Sequence, residues 1–198
     1  LIRIYDRQGK EQQVFECSCS DIHSVRFSDD GTLLAAGGRD GHLCVFSIKD
    51  GLRIADFKAH RRRIRSLRFT DDGTIVSAGD DQIVKFTNPL RTSESVALPR
   101  LSAKLYATEL LPNNLVATAG SDNLIHIWDL TSRTEIGSLE GHTGTVSSLV
   151  ANDRWLVSGS YDTTVRVWTI EGDTSAAAGN SQLPAQTVSG TNTFGFTN

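Results

Sequence analysis

The sequence predicts an all-β protein built from similar units of about 40 residues, and three observations support this prediction. Four segments align with one another, beginning at His23, Arg65, Tyr106 and Val146. An Asp in one turn and an aromatic residue downstream of it both recur at steps of 40 to 42 residues. No stretch has convincing helical periodicity, whereas runs such as HLCVF, QIVKF and TVRVW are rich in strand-forming residues.

Each unit is predicted to contain four strands joined by tight turns. The motifs DDGT, found twice, and PNN mark the first turn, and GGRDG, GDDQ, GSDN and SYDT mark the second. The segments LRIADF, ESVAL and TEIGSL supply a fourth strand in the first three units. The chain opens with LIRIYD and KEQQVF, which match the third and fourth strands of a preceding unit, and the last unit reaches its third strand at Trp168.

Four strands per unit at this period are expected of β-propeller blades, so the predicted fold is a propeller segment of just over four four-stranded blades. Propellers close with roughly 4 to 8 blades, and open flanks invite aggregation, so we expect either a fragment of a larger ring or a ring whose remaining blades come from elsewhere. The predicted blades cover residues 1–170. Residues 171–198 are rich in Ser, Thr, Ala, Gly and Asn and are predicted to be a low-complexity linker or tail; the alternative, a poor fourth strand at QTVSG, is disfavoured by Pro184.

Composition excludes some function classes. The net charge is −3, so the whole chain is not built as a general polyanion binder, and no apolar run approaches a membrane span. The sequence contains three cysteines, without the spacing of a disulfide framework, which favours an intracellular setting, cytoplasmic or nuclear. We find no Gly-rich phosphate loop, H-E-x-x-H or G-x-S-x-G motif, and therefore expect neither an enzyme nor a bound cofactor.

The segment Ile127-Trp128-Asp129, followed by Gly141-His142, resembles the signatures of the WD-repeat (beta-transducin-like) β-propeller family. The resemblance covers residues 1 to about 170 and implies a buried hydrogen-bonded tetrad in the fourth unit rather than a catalytic Ser-His-Asp set. That tetrad is His142, Ser158, Asp162 and Trp168. Because this fold hosts many functions, the resemblance does not by itself specify one.

The other units carry only parts of the tetrad. The second unit has His60, Ser77 and Asp81, with Phe86 in place of Trp. The third unit has Thr118, Asp122 and Trp128, with Leu101 or Ser102 where His is expected. The first unit has Asp40, with Cys19 or Ser20 at the His position and Ala36 at the Ser position. The fourth unit is therefore expected to be the most rigid. Trp155 aligns with Leu33 and Leu115 and is predicted to pack in the core, the alternative being an exposed anchor for a partner.

Two polar clusters have residue types that could bind a metal ion or an anionic partner. Cys17-Ser18-Cys19 with His23 has a metal-like pattern, but no second ligand pair lies near it, so no metal site is predicted. The run Arg61-Arg62-Arg63 is placed by the family geometry on the top face, with Arg39 on the same face of the preceding blade. Guanidinium groups suit carboxylates and phosphates; the alternative is a solvated loop.

The predicted function is a protein-interaction scaffold that presents its loops to other proteins, including acidic or phosphorylated segments. Nucleic acid is a weaker candidate partner, and no membrane partner is expected. The alternative function is a regulatory or targeting domain fused to an enzyme whose catalytic domain lies outside this segment. A propeller that is itself catalytic ranks third, because no set of convergent titratable groups is evident.

Overall fold

The structure, a computed structural model, describes residues 1–170, which form two compact units, residues 1–101 and 102–170. Within the described residues, the only helical segment is a short 3-10 helix, Thr92–Glu94. All other regular structure is antiparallel β-sheet, so the predicted fold class is confirmed. The predicted linker or tail at 171–198 lies outside the described residues.

The first unit contains one two-stranded and two four-stranded sheets. The two-stranded sheet pairs β1 (Ile2–Tyr5) with β2 (Glu11–Phe15). Blade one contains β3 (Ile22–Phe27), β4 (Leu33–Gly38), β5 (His42–Ser47) and β6 (Leu52–Lys58). Blade two contains β7 (Ile64–Phe69), β8 (Ile75–Gly79), β9 (Val84–Thr87) and β10 (Val96–Ala97). The predicted fourth strand at ESVAL is thus only two residues long, because the 3-10 helix takes up the residues before it.

The second unit contains blade three and three strands of blade four. Blade three contains β11 (Leu105–Leu111), β12 (Leu115–Gly120), β13 (Ile125–Asp129) and β14 (Thr134–Leu139). Blade four contains β15 (Val146–Ala151), β16 (Trp155–Ser160) and β17 (Val165–Thr169). Neighbouring strands in the sequence are neighbours in each sheet, as in a meander, which agrees with the predicted order.

The predicted turns contain residues that tolerate left-handed backbone. Gly31 and Gly73, in the two DDGT motifs, have φ values of 69° and 78°, and Asn113 and Asn114, in PNN, both have φ 59°. Glycine adopts this region without steric cost, and Asn does so more readily than most residues. The turn chemistry therefore fixes where each strand pair reverses.

Apolar side chains of adjacent blades form the core within each unit. In the first unit, Leu43 and Val45 of β5 pack with Ile64 and Leu67 of β7, and all four are fully buried. In the second unit, the equivalent cluster joins β13 to β15 and β16. Alternate residues of each strand face one side of the sheet, which is why a period of two in the sequence yields this buried face.

The prediction that Trp155 packs in the core is wrong: the residue is 39% exposed. Its equivalents, Leu33 and Leu115, contact core clusters that include strands of the following blade. No described strand follows β17, so this face of blade four lacks that cover within residues 1–170. Val165 and Val167 of β17 are exposed at 64% and 55% for the same reason.

Candidate partner-binding surface and the polar networks beside it

A chain of hydrogen bonds links three elements of blade four. His142, in the loop before β15, lies 2.8 Å through Nδ1 from Asp162 Oδ2, in the turn between β16 and β17. Its Nε2 lies 2.7 Å from Ser158 Oγ on β16. Trp168 Nε1 on β17 donates to the same oxygen at 2.9 Å. The structure therefore brings together the four residues that the sequence analysis selected, and Ser158 is fully buried.

Blade two repeats this arrangement without the indole. His60 Nδ1 lies 2.9 Å from Asp81 Oδ1, and His60 Nε2 lies 2.8 Å from Ser77 Oγ. The prediction that Phe86 takes the place of Trp is wrong. Ser77 and Ser158 are equivalent, and Thr87 pairs with Ile75, two residues before Ser77, as Trp168 pairs with Leu156, two residues before Ser158. Thr87 therefore stands where Trp168 stands in blade four, and its side chain has no N–H to donate. The carboxylate also accepts the backbone N–H of Arg61 at 3.0 Å, so the network holds the start of the arginine loop.

Blade three obtains its histidine from a different place. Trp128 Nε1 donates to Thr118 Oγ1 at 2.8 Å, but the partner of Asp122 is His126 on β13, with Nε2 2.9 Å from Oδ2. His126 Nδ1 also lies 2.7 Å from Glu135 Oε1 on β14. His126 was not predicted because it lies on the third strand of the blade, whereas a histidine was expected in the loop before the first strand.

These contacts shift the pKa values of the groups involved. Burial opposes the shift, yet hydrogen bonds from Thr164, the Thr143 backbone and His142 hold the pKa of Asp162 well below its usual range. Burial likewise opposes the shift at His126, where hydrogen bonds to Asp122 and Glu135 raise the histidine pKa.

Blade one has neither a histidine nor a serine in this network. Cys19 occupies the loop position, and its Sγ lies 3.3 Å from Cys44 Sγ on β5. Asp40 Oδ1 accepts the backbone N–H of His42 at 3.3 Å. Ala36 takes the place of the serine, so the interior of blade one is lined by thiols rather than by an imidazole and a hydroxyl.

The arginines form one surface of the first unit, which we define as the arginine surface: Arg39, Arg61, Arg62 and Arg63. The turn with Arg39 and the loop with the other three lie side by side. Their backbones approach so closely that a Cβ added to Gly41 would stand 2.1 Å from His60 O and 2.8 Å from Arg62 O. Both segments lie at the same end of the sheets, as linkers and second turns do in an antiparallel meander. The structure therefore brings together all four predicted residues.

The guanidinium groups of this surface differ in their neighbours. Arg39 forms an exposed ion pair with Asp21 at 3.4 Å. Arg61 and Arg62 are exposed and Arg63 is half-buried, and none of these three side chains hydrogen-bonds or pairs with another residue within 1–170. Next to them, Arg65 binds Asp80 through two nitrogens, at 2.8 and 3.2 Å. The loop thus offers three cations whose charge is not taken up by neighbouring carboxylates.

Comparison with known proteins identifies the repeats. The family model described as "WD domain, G-beta repeat" matches residues 9–47, 51–88 and 133–169. The crystal structure of the computationally designed Ika4 protein superposes with a TM-score of 0.73 at 29% identity, covering 82% of this chain and 99% of that one. Three strands of blade three, β11 to β13, lie between the second and third matched segments, and the structure shows that they form a four-stranded sheet with β14.

Curated relatives match parts of the chain. Mitochondrial division protein 1 of Schizosaccharomyces pombe is 40% identical over 62 residues, which cover 31% of this chain and 10% of that protein. Phospholipase A-2-activating protein of Xenopus laevis is 38% identical over 87 residues, covering 40% and 11%. U3 snoRNP-associated protein-like EMB2271 of Arabidopsis thaliana is 32% identical over 173 residues, covering 86% and 32%. The matches thus span a third or less of each relative's length.

No helix within residues 1–170 has the length and apolar character that crossing a bilayer requires.

Proposed function

The chain belongs to the WD domain, G-beta repeat family, whose members are generally protein-interaction scaffolds, and on that premise we propose that it binds partner proteins through the arginine surface. The partner segment is acidic or phosphorylated. The observation that carries the proposal is the run of three consecutive arginines, Arg61 to Arg63, whose side chains have no partner within the described residues.

The backbone of the arginine loop is held at both ends, which supports a binding role. His60 N–H donates to Gly41 O at 3.0 Å, and Arg61 N–H donates to Asp81. At the other end, Asp80 N–H donates to Arg63 O at 2.9 Å. A fixed backbone reduces the conformational entropy lost on binding, so only the side chains must be ordered by the partner.

The chemistry of the loop favours a carboxylate or phosphate. A guanidinium presents a planar set of N–H donors that matches two oxygens of either group, and such charge-assisted bonds are stronger than neutral ones. The pairs Arg39–Asp21 and Arg65–Asp80 lower the net charge at the edges of the surface, which leaves the positive potential centred on Arg61 to Arg63. The three free thiols agree with a reducing, intracellular setting for this interaction.

The test compares charge reversal on the arginine surface with a matched reversal elsewhere. In the first variant, Arg61, Arg62 and Arg63 are changed to Glu. In the control, the exposed residues Arg7, Lys10 and Lys49 are changed to Glu. These three lie in turns at the opposite end of the sheets. Each variant replaces three cationic side chains by three carboxylates, so both variants have the same net charge. Both are checked for an unchanged melting temperature. They are then titrated with acidic, phosphorylated and neutral peptides that are matched in everything but the charged residues.

We expect wild type and control to bind the acidic or phosphorylated peptides, and the Arg-to-Glu variant to bind about tenfold or more weakly, since three attractive contacts become repulsive. Equal binding by all three proteins would show that the loop is only solvated. A preference for oligonucleotides over peptides, with affinity falling steeply as salt is added, would assign the surface to nucleic acid instead.

A further inference from the structure

All three cysteines of the chain meet in one place, although the sequence separates them into two groups. Cys17 and Cys19 lie in the segment between β2 and β3, and Cys44 lies in the middle of β5. Their Sγ atoms all lie within 4.8 Å of one another, and those of Cys19 and Cys44 are 3.3 Å apart. The Cys19 backbone N–H donates to Cys17 Sγ at 3.3 Å, which holds the Cys17 thiol beside Cys19.

These separations fit a shared metal ion. A Zn–S bond is about 2.3 Å, so two thiolates on one tetrahedral ion stand about 3.8 Å apart. The Sγ atoms lie within 4.8 Å of one another, and one pair is 3.3 Å apart, so the thiols can converge on an ion by small side-chain rotations. Thiolates select thiophilic ions such as Zn²⁺ over Ca²⁺ or Mg²⁺.

Further polar groups surround the thiols. Asp56 on β6 has its Oδ1 3.8 Å from Cys44 Sγ, close to the separation of about 3.5 Å expected of oxygen and sulfur ligands on one Zn²⁺. Ser18 Oγ donates to the same carboxylate oxygen at 2.5 Å. His42 Nδ1 stands 3.5 Å from it, buried and without a hydrogen-bond partner. Asp56 is thus an oxygen donor beside the thiols, and Ser18 and His42 lie where they can orient its carboxylate.

The position of the cluster explains why blade one would gain from an ion. Cys19 lies 21 residues before Asp40, the same spacing as His60 before Asp81 in blade two. In blade two that histidine joins the entering loop to the second strand and the turn through hydrogen bonds. Blade one lacks the histidine and the serine, so an ion held by the loop thiols and by Cys44 would connect loop and sheet in their place.

We propose that Cys17, Cys19 and Cys44 bind one Zn²⁺-class ion, with Asp56 adjacent to its fourth position. The sequence analysis expected no metal site because it found no further ligands near Cys17 and Cys19. The missing ligand is Cys44, which strand pairing and not sequence proximity brings to the loop. The proposal is independent of the arginine surface, so either can fail without the other.

The test uses the chain itself with Zn²⁺ and Co²⁺ as probes, in the presence of a non-thiol reductant. Zinc retained after removal of free metal is measured by mass spectrometry of the metal. Co²⁺ titration is followed by the sulfur-to-cobalt charge-transfer absorption, which reports thiolate ligands. Because the chain contains three cysteines in all, any such absorption comes from this cluster. The variants are Cys17→Ser, in which the replaced thiol is half-buried, and a triple Ser substitution of all three. His23→Ala, which removes an exposed metal-binding side chain, is the control.

We expect one Zn²⁺ per chain and a charge-transfer band in wild type and in His23→Ala. The melting temperature should rise with added Zn²⁺, because the ion binds the folded state. Cys17→Ser should lower the affinity at least tenfold while remaining folded. Failure of the folded, reduced wild type to retain Zn²⁺, or unchanged retention by the triple variant, would overturn the proposal.

Discussion

Removing the imidazole of His142 tests whether the blade-four network stabilises the fold. In His142→Ala, Asp162 loses its 2.8 Å bond and Ser158 loses its 2.7 Å bond. The His142 side chain is completely buried, so no solvent replaces these contacts. We predict that His142→Ala lowers the free energy of unfolding and removes no catalytic activity, because the residues of the network join loop, strand and turn.

The size of the destabilisation depends on the hydrogen bonds that Asp162 and Ser158 keep in His142→Ala. Asp162 keeps bonds from the Thr143 and Thr164 backbones, and Ser158 keeps the indole N–H of Trp168, so neither is left fully unsatisfied. A bond to a charged group contributes about 1.5–3 kcal/mol and a neutral one about 1 kcal/mol. The expected loss is therefore about 3 kcal/mol. In a protein of this size, that corresponds to a fall in melting temperature of about 6–12 °C.

The assay is thermal and urea unfolding followed by circular dichroism. His23→Ala serves as the matched control, because the same substitution at an exposed histidine should cost less than about 0.5 kcal/mol. The double mutant His142→Ala/Ser158→Ala should be about 1 kcal/mol less destabilised than the sum of the single mutants. An unchanged melting temperature in His142→Ala would refute the structural role of the network.

Two further predictions concern pH and a glycine. His126 has a pKa raised by hydrogen bonds to Asp122 and Glu135, against the effect of burial, so its stabilising contribution is complete below about pH 6.5 and is lost as pH rises through the folded pKa. Urea unfolding at pH 6 and pH 8.5 should show a loss of stability in wild type that is smaller in His126→Gln. Gly41→Ala should destabilise by well over 1 kcal/mol, because φ is 86° and the added Cβ would stand 2.1 Å from His60 O. Gly73→Ala has a similar φ of 78° but meets nothing within 4 Å, and should cost only about 1 kcal/mol.

Each of these predictions has an outcome that contradicts it. A wild-type stability that is flat between the two pH values would mean that the His126 contacts do not favour the charged imidazole. Equal costs for the two glycine substitutions would mean that the left-handed backbone, and not the close approach of the arginine loop, determines the need for glycine at position 41.

The repeat accounts for how much of the fold was predictable from the sequence. Strand order and turn positions follow from the recurring Asp and aromatic residues, since each unit repeats the same local pattern. The blade-four tetrad was predictable because all four residue types stand at the expected positions. Burial was less predictable: Trp155 is exposed because its cover depends on the next blade and not on its own strand.

The two missed residues, His126 and Cys44, share one cause. Each lies four residues after the turn Asp, and each contacts a carboxylate on the following strand: His126 contacts Glu135 on β14, and Cys44 contacts Asp56 on β6. A search of the entering loop alone does not find them. Comparing this one position across the repeats would have found them, since it holds Cys44, Lys85, His126 and Arg166, all ionisable side chains.

At this shared position the side chain differs from blade to blade, whereas the strand order around it does not. In blades one, three and four the residue two places further along is the aromatic of the repeat, and its side chain faces the same side of the sheet, towards the network; in blade two that residue is Thr87. In blade three this position holds an imidazole between two carboxylates, and in blade one it holds a thiol beside two others and a carboxylate. The strand order is the same in both blades, so the side chains at this point and in the entering loop can differ without altering it. Local chemistry can therefore differ from blade to blade while the arginine surface remains supported by the same scaffold.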